Sequence, residues 1–347
     1  MLKDKKIAIV FTASIVGGHE LMAVEHIKKF NRKGFSITCY IPKDNDKLKA
    51  IFKLNNIDFI SHKVVHRKLE SIQSFINPIF VLDSLMFLHG VNKTSDEIVI
   101  IQGDIELGAG FINAAKLIGY PIVSYIPYAH DFDVMGSKFS KVKNLLSNIL
   151  YRNCQRYITI SHCFKSEIIS KNKKSVVKVI RNFVSEPPIQ QVRGKGYFFE
   201  RKDGVLKLLM AGRVYFRQKG QDLLIEALRG IDQRIELTVI GDGPDLKKLI
   251  TLASTLPKNI TVTFLGWKDN VWDYAQDMDL ILIPSNFEGV PLIMLEAMKR
   301  NVPVIASARD GMADYLERKS LYDVAGVTDE VKIMNLRNKI KELAEVE

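Results

Sequence analysis

Cysteine is scarce in this sequence: Cys39, Cys154 and Cys163 are the three in a chain of 347 residues. Three thiols cannot all pair, and none forms a C-x-x-C unit. A disulfide framework, a zinc ribbon and a dithiol redox site are therefore excluded, and a reducing compartment is expected. His26, His62, His66, His89 and His162 are scattered, with no His/Cys/carboxylate cluster at zinc spacing, so no metal is expected. Long apolar runs are missing too. Spanning a bilayer as a helix takes about 18 or more uncharged apolar residues. The nearest stretch, 76–91, is interrupted by Pro78, Asp83 and His89. The short apolar run at 7–11 is too brief for a secretory signal core and has no small-residue cleavage site after it. The expectation is a cytoplasmic protein that does not cross a membrane but can lie on one. No solenoid-period repeat and no low-complexity tract occurs.

The remaining composition is ordinary: 47 % hydrophobic and 26 % charged. These values exclude dominant disorder and fibrous arrays, and at roughly 150 residues per domain the length suggests two domains. The formal charge is +11, and it is unevenly placed. Residues 1–195 hold 29 Lys/Arg against 16 Asp/Glu, whereas residues 196–347 hold 21 against 23. The surplus therefore belongs to the first half and points to an anionic partner there. Lys138, Lys141, Lys143, Arg152 and Arg156 surround Phe139, Val142, Leu145, Leu146, Ile149 and Leu150. That pattern fits a helix lying on an anionic membrane surface, or an ordinary domain helix with a basic outer face. Nucleic acid is not expected, since no aromatic-rich ribbon or nucleic-acid motif accompanies the charge.

Short Val/Ile/Phe-rich runs at 6–11, 35–40, 97–101, 121–125, 157–160 and 176–180 alternate with helical patterns at 20–33, 109–118 and 138–153. Such alternation reads as βαβ units in a mostly parallel sheet, and near-continuous apolar runs suit strands covered on both faces. A polar Pro/Gly-rich stretch at 185–196 then reads as a linker. The alternation restarts with strands at 206–211, 236–240, 261–265, 280–283 and 303–306, and helices at 220–228, 245–254, 271–276, 291–299 and 330–345. The expected fold class is α/β, with two Rossmann-like doubly wound domains facing a central cleft. The domains are expected at 1–187 and 188–329, with a helix at 330–347 packing back toward the first domain. Ligands in such folds bind at the carboxyl ends of the strands.

Two loops carry chemistry. Gly212-Arg213-Val-Tyr-Phe-Arg-Gln-Lys219-Gly220 links a strand to a helix, placing a guanidinium and an ammonium near free helix N–H groups, a combination suited to phosphate. Pro284-Ser-Asn-Phe-Glu288-Gly289-Val290-Pro291-Leu292-Ile-Met-Leu-Glu296 likewise follows a strand and opens a helix. Carboxylates accept hydrogen bonds from hydroxyls, so Glu288 and Glu296 beside a phosphate clamp suggest a polyol such as sugar or ribose.

Together these loops resemble the donor-binding half of the GT-B glycosyltransferases of family 4, also called group 1. Further matches are Val239-Ile-Gly241-Asp-Gly243-Pro244, Phe264-Leu-Gly266 beside the expected nucleotide base, and Asn301-Val-Pro303-Val-Ile-Ala306. In the first half Gly17-Gly18 matches the glycine-rich acceptor-side loop, His130-Asp131 the family's His-Asp pair, and Ser161 and Asn182 the usual strand-end residues.

The resemblance implies a first domain that binds acceptor and a second that binds a nucleotide-sugar donor. Arg213 and Lys219 would hold the donor diphosphate, and Glu288 the sugar hydroxyls. Amides of Gly289, Val290 and Leu292, after Pro291, would reach the sugar or phosphate. Glu296 would take the ribose hydroxyls, Gly18 would let backbone approach phosphate, and His130 would touch the sugar or the leaving-group oxygen. Gly17, Gly212, Gly241 and Gly266 would complete the donor surroundings.

The implied enzyme is a retaining, metal-independent glycosyltransferase that needs no cofactor. It would move a hexose or N-acetylhexosamine, from UDP in preference to GDP, to a lipid-linked glycan of a bacterial surface polysaccharide such as lipopolysaccharide or capsule. It would be cytoplasmic and peripheral on the inner face of the cell membrane. A sugar-nucleotide epimerase or a phosphorylase would share this plan, and a non-catalytic membrane-binding module would need only the basic half. Departures from the pattern are Asn182-Phe183 for Asn-Gly, Asp310-Gly311 for Gly-Gly, and a loose fit over 321–329. The Asp-x-Asp matches at Asp131/Asp133 and Asp277/Asp279 are read as a cap or sugar-side group and as a strand-edge charge, not as metal ligands.

Overall fold

The computed structural model describes residues 5–193, 204–275 and 277–344, and the chain divides into two compact units, Met1–Asn182 and Phe183–Glu347. The division falls between Asn182 and Phe183, ahead of the Pro/Gly-rich stretch at 185–196 and of the boundary expected at 187/188.

Among its described residues the first unit runs β1 (Lys6–Phe11), α1 (Gly18–Arg32), β2 (Ser36–Pro42), α2 (Asp46–Leu54), β3 (Phe59–His62), α3 (Glu70–Ile76), α4 (Pro78–Asn92), β4 (Glu97–Ile101), α5 (Ala109–Ile118), β5 (Ile122–Tyr125), α6 (Ser140–Asn153), β6 (Arg156–Thr159), α7 (His162–Lys171) and β7 (Val176–Val179). The second runs β8 (Val205–Ala211), α8 (Phe216–Lys219), α9 (Gln221–Leu228), β9 (Arg234–Ile240), α10 (Leu246–Ala253), β10 (Ile260–Gly266), α11 (Trp272–Ala275), β11 (Leu280–Ile283), α12 (Leu292–Lys299), β12 (Val304–Ser307), α13 (Asp310–Ala313), β13 (Leu321–Tyr322) and α14 (Asp329–Ala344).

The first sheet has the order β3-β2-β1-β4-β5-β6-β7 and the second β10-β9-β8-β11-β12-β13. Each strand pairing is parallel. Parallel neighbours need crossovers, and helices supply them. The central strands are largely apolar because helices cover both faces. Every residue of β11 and Ala8, Ile9, Val10 and Phe11 of β1 are buried. In each sheet the strand order reverses between its first and fourth strands, β1 and β4 or β8 and β11. Ligands of open α/β sheets sit at that reversal, outside the carboxyl ends.

Several elements were silent in the sequence pattern. Edge strand β3 has a mostly exposed, polar-interrupted sequence, and β13 is two residues long. The 76–91 stretch is one helix and the end of another: α3 and α4 are bent by 92°. Asn77 caps α4, its side chain accepting from Phe80 N–H at 3.2 Å, with Pro78 at the first helical position. Among the described residues no single helix is long and apolar enough to cross a membrane. In the expected linker, Arg193 is held by the second unit: its N–H donates to the Arg300 carbonyl at 3.0 Å and its guanidinium to the Met278 carbonyl at 2.6 Å. Gly196, Gln276 and the last residues expected in the C-terminal helix, 345–347, lie outside the described residues. The apolar face of α14, Leu336 and Ile340, is buried in the second unit's own core.

Candidate active site

At the order reversal of the second sheet, the loops after β8 and β11 lock together. The β8 loop is not all coil: Tyr215 leads into the single turn α8, and Lys219 is its last residue. Gly220 then turns the chain into α9 with φ +62. A Cβ at Gly220 would lie 2.3 Å from the Pro284 carbonyl oxygen, so only glycine lets the two loops meet there. Asn286 N–H donates to the Gln218 carbonyl at 2.7 Å across the same junction. This arrangement brings the Lys219 ammonium onto the Glu288 carboxylate as an ion pair. Ser285 Oγ lies 3.5 Å from the same Glu288 oxygen.

Arg213 is exposed at the end of β8, its guanidinium 6.0 Å from the Tyr215 ring centroid, while its carbonyl accepts from Gln221 Nε2 at 2.9 Å. Lys219 folds back toward Gly212: a Cβ there would sit 3.9 Å from the lysine Cε. The neighbouring loop is equally tight. Gly241, with φ +137, presses on Gly212, and a Cβ on it would meet the Gly212 carbonyl oxygen at 1.9 Å. Gly241 N–H donates to the Gly266 carbonyl at 2.8 Å, which ties the ends of β9 and β10 together.

Gly289, Val290 and Pro291 run from Glu288 into α12, which begins at Leu292. Val290 and Pro291 are buried, and Glu296 sits half-buried within the helix. Glu296 Oε2 accepts from Trp272 Nε1 at 2.7 Å. The Arg300 guanidinium lies 4.0 Å from the Trp272 ring centroid. Burial lowers the Arg300 pKa from its ordinary value, and the Glu296 charge opposes that shift.

Two residues the sequence pattern did not assign to the site support it. One is Trp272, which no motif marks. The other is Asp310, noted only as a departure from Gly-Gly. Asp310 has φ +51, where glycine is at ease, and its carboxylate accepts from Glu288 N–H at 2.9 Å and from Arg309 Nε at 3.0 Å. An aspartate at a φ where glycine is at ease is held there by its bonds. Asp279 accepts from Lys207 N–H at 2.7 Å, tying β11 to β8. Among the described residues no group of three or more His, Cys, Asp or Glu gathers as a metal site.

The remaining sequence-selected residues lie in the first unit. Gly17 and Gly18 follow β1 and start α1, at that sheet's own order reversal. The Gly17 N–H is engaged by Glu20 Oε2 at 2.8 Å. Burial raises the Glu20 pKa, and this bond opposes the rise. His130 is buried beyond β5, with Nδ1 3.4 Å from Glu167 Oε1 and its ring stacked on Tyr128 at 5.6 Å. Asp131 is ion-paired with Lys171, and Asp133 accepts from Asn144 Nδ2 at 2.8 Å. Ser161 caps α7 by accepting from Phe164 N–H at 3.3 Å.

Residues 198–346 match the family model described as glycosyl transferases group 1. The match falls within the second unit.

Within the curated proteins, the chain is 24 % identical over 228 residues to an uncharacterised glycosyltransferase of Haemophilus influenzae, covering 65 % of this chain and 60 % of that one. It is 27 % identical over 207 residues to the lipopolysaccharide 1,6-galactosyltransferase of Escherichia coli, covering 53 % of each. The chain thus spans little more than half the length of these relatives. Among solved structures it resembles the lipopolysaccharide outer core galactosyltransferase WaaB in its apo form (TM-score 0.73, 21 % identity, 98 % of this chain and 91 % of that one). It equally resembles Anabaena HepE, solved with UDP and glucose (TM-score 0.73, 17 % identity, 99 % and 90 %). The fold is GT-B, two Rossmann-like α/β domains.

Proposed function

We propose that this protein is a glycosyltransferase that moves a hexose or N-acetylhexosamine from a nucleotide sugar, UDP-linked in preference to GDP-linked, to a glycan acceptor carried on a lipid. The observation that carries the reading is the Lys219–Glu288 pair at the β8/β11 reversal. It puts a cation for the leaving diphosphate beside a carboxylate for the sugar hydroxyls. The lysine has three N–H donors, so it can keep Glu288 and still donate to a phosphate oxygen. As the glycosyl carbon turns oxocarbenium-like, Lys219 and Arg213 stabilise the charge growing on the departing phosphate, an effect worth roughly 3–4 kcal/mol per well-placed group.

Retention of configuration and independence of a metal are the group 1 habit, and the departing phosphate would take the acceptor proton. His130 is assigned to the sugar or the leaving oxygen on the same basis. UDP as the carrier is supported by HepE, solved with UDP and with UDP-glucose. A lipid-linked polysaccharide acceptor is supported by the relatives named for lipopolysaccharide synthesis.

The membrane reading of the basic half, with the protein cytoplasmic and peripheral on the inner face, is supported by the exposed apolar face of α6. This helix buries Lys143 as an ion pair with Glu106 and exposes Val142, Leu145 (67 %) and Ile149 between Lys141 and Arg152, with Lys138 and Phe139 exposed just ahead of it. The α3–α4 elbow also exposes Ile76, Ile79, Leu82 and Met86. Apolar residues among cations on a helix suit an anionic bilayer surface.

The test is nucleotide release from UDP-sugars with and without glycan-lipid acceptor. Release that depends on acceptor and collapses in Glu288→Ala and Lys219→Ala is expected. Consumption of the UDP-sugar without acceptor would indicate an epimerase. Intact turnover in both variants would sink the site assignment.

A further inference from the structure

We propose that Trp272 is a positioning residue for Glu296, presetting that carboxylate for the ribose of the donor. The inference rests on the donor reading above and on a set of contacts no motif announces. Trp272 opens α11, in the stretch that follows β10, and its indole is 5 % exposed. An indole N–H can only donate, and when buried it needs an acceptor. Its acceptor is Glu296 Oε2, at 2.7 Å.

The indole is itself held. The Trp272 main-chain N–H donates to Asn270 Oδ1 at 3.1 Å, and the Arg300 guanidinium lies 4.0 Å from the ring centroid. Arg300 is pinned in turn: one terminal nitrogen donates to the Glu296 carbonyl at 3.2 Å, and Nε and the other reach Gln191 Oε1 at 3.3 and 3.1 Å. Trp272, Arg300 and Glu296 form a closed set in which the ring is clamped and the carboxylate is tied to the ring.

A free glutamate samples several rotamers and must lose that freedom when it binds a diol. A carboxylate has about four acceptor directions, and the indole takes one of them. Oε1 and the remaining lone pairs stay available to hydroxyls, with the carboxylate plane already fixed. Affinity gained this way comes from a lower ordering cost rather than from a new contact with ligand. Trp272 also joins the chain segment after β10 to the α12 carboxylate, so the two sides of the nucleoside site are set together.

The experiment titrates UDP, 2′-deoxy-UDP and 3′-deoxy-UDP into the full chain by calorimetry. Wild type should prefer UDP over at least one deoxy analogue by about tenfold or more, as expected for hydrogen bonds to a charged group. Glu296→Ala should abolish that preference. Trp272→Phe keeps a ring under Arg300 and removes the N–H. It should reduce the preference severalfold by weakening UDP while leaving the deoxy analogue unchanged. Trp272→His, which restores a ring N–H, should recover part of it and serves if the phenylalanine variant does not fold. Weakening of UDP and the deoxy analogue by the same factor, or a preserved preference in Trp272→Phe together with its loss in Glu296→Ala, overturns the role of Trp272 alone. No UDP binding by wild type, or an undiminished preference in Glu296→Ala, overturns the donor reading and the inference with it.

Discussion

Lys219 and Glu288, 69 residues apart in the chain, meet as an ion pair because the loops after β8 and β11 are locked by a glycine contact and a backbone hydrogen bond. In the proposed reaction this pair is the centre of the donor site. Lys219→Ala should lower kcat/KM by about 10²–10³-fold, the range for removing one preorganised transition-state donor. Glu288→Ala should cost a similar factor, and the double variant less than the product of the two, because paired residues couple. Steady-state UDP release measures all three; additive losses would mean the two side chains act independently.

Asp310 supports Glu288 from behind while sitting at φ +51. Asp310→Ala keeps the strained backbone and leaves the Glu288 N–H unpartnered, so it should destabilise by about 1–3 kcal/mol. Asp310→Gly relieves the strain and should cost less. Urea unfolding midpoints give the comparison, and an equal loss in both variants would contradict it.

Gly241 admits no side chain, since its Cβ would lie 1.9 Å from the Gly212 carbonyl oxygen. Gly241→Ala should cost on the order of 3 kcal/mol or more, with the damage in the second unit. Hydrogen exchange resolved by unit would show whether the loss is confined there.

Two positions close together on α6 should separate folding from surface binding. Lys143→Ala strands a buried Glu106 and should destabilise by about 3–5 kcal/mol. Leu145→Ser changes an exposed residue and should leave stability within about 0.5 kcal/mol while weakening sedimentation with phosphatidylglycerol vesicles. Unchanged vesicle binding in Leu145→Ser would argue against this helix as the contact.

Acid should weaken the first unit. Burial holds His19 at about 4, with His26 also depressed to about 4, below the ordinary histidine value of 6.5. The unfolded chain then binds more protons between those values, so stability falls as pH drops from about 6.5 toward 4. His66, raised chiefly by its hydrogen bond to Glu70, contributes with the opposite sign. Melting temperatures from pH 7 to 4.5 should show the fall, and the His19→Gln/His26→Gln variant should flatten it.

Most central strands were legible because burial on both faces writes them as unbroken apolar runs. Lys6–Phe11, Glu97–Ile101 and Leu280–Ile283 carry no competing signal. β3 and β13 were not legible, being a mostly exposed edge and a two-residue pairing whose register their neighbours impose. The α3–α4 elbow was hidden inside one apolar stretch, because composition does not record a 92° bend. In the site, Lys219, Glu288 and Glu296 stood out by type and spacing. Trp272 and Asp310 did not, since their roles depend on partners 24 and 22 residues away.

Local periodicity and motif spacing dictate the alternation of strands and helices, the two-part organisation and the residue types gathered after β8 and β11. Packing sets which side chain answers which: that Lys219 turns to Glu288, that Trp272 holds Glu296, and that α6 buries a lysine and exposes a leucine. Burial and partnership are properties of what packs against a residue, and that is set by sheet order and loop contact rather than by its neighbours in the chain.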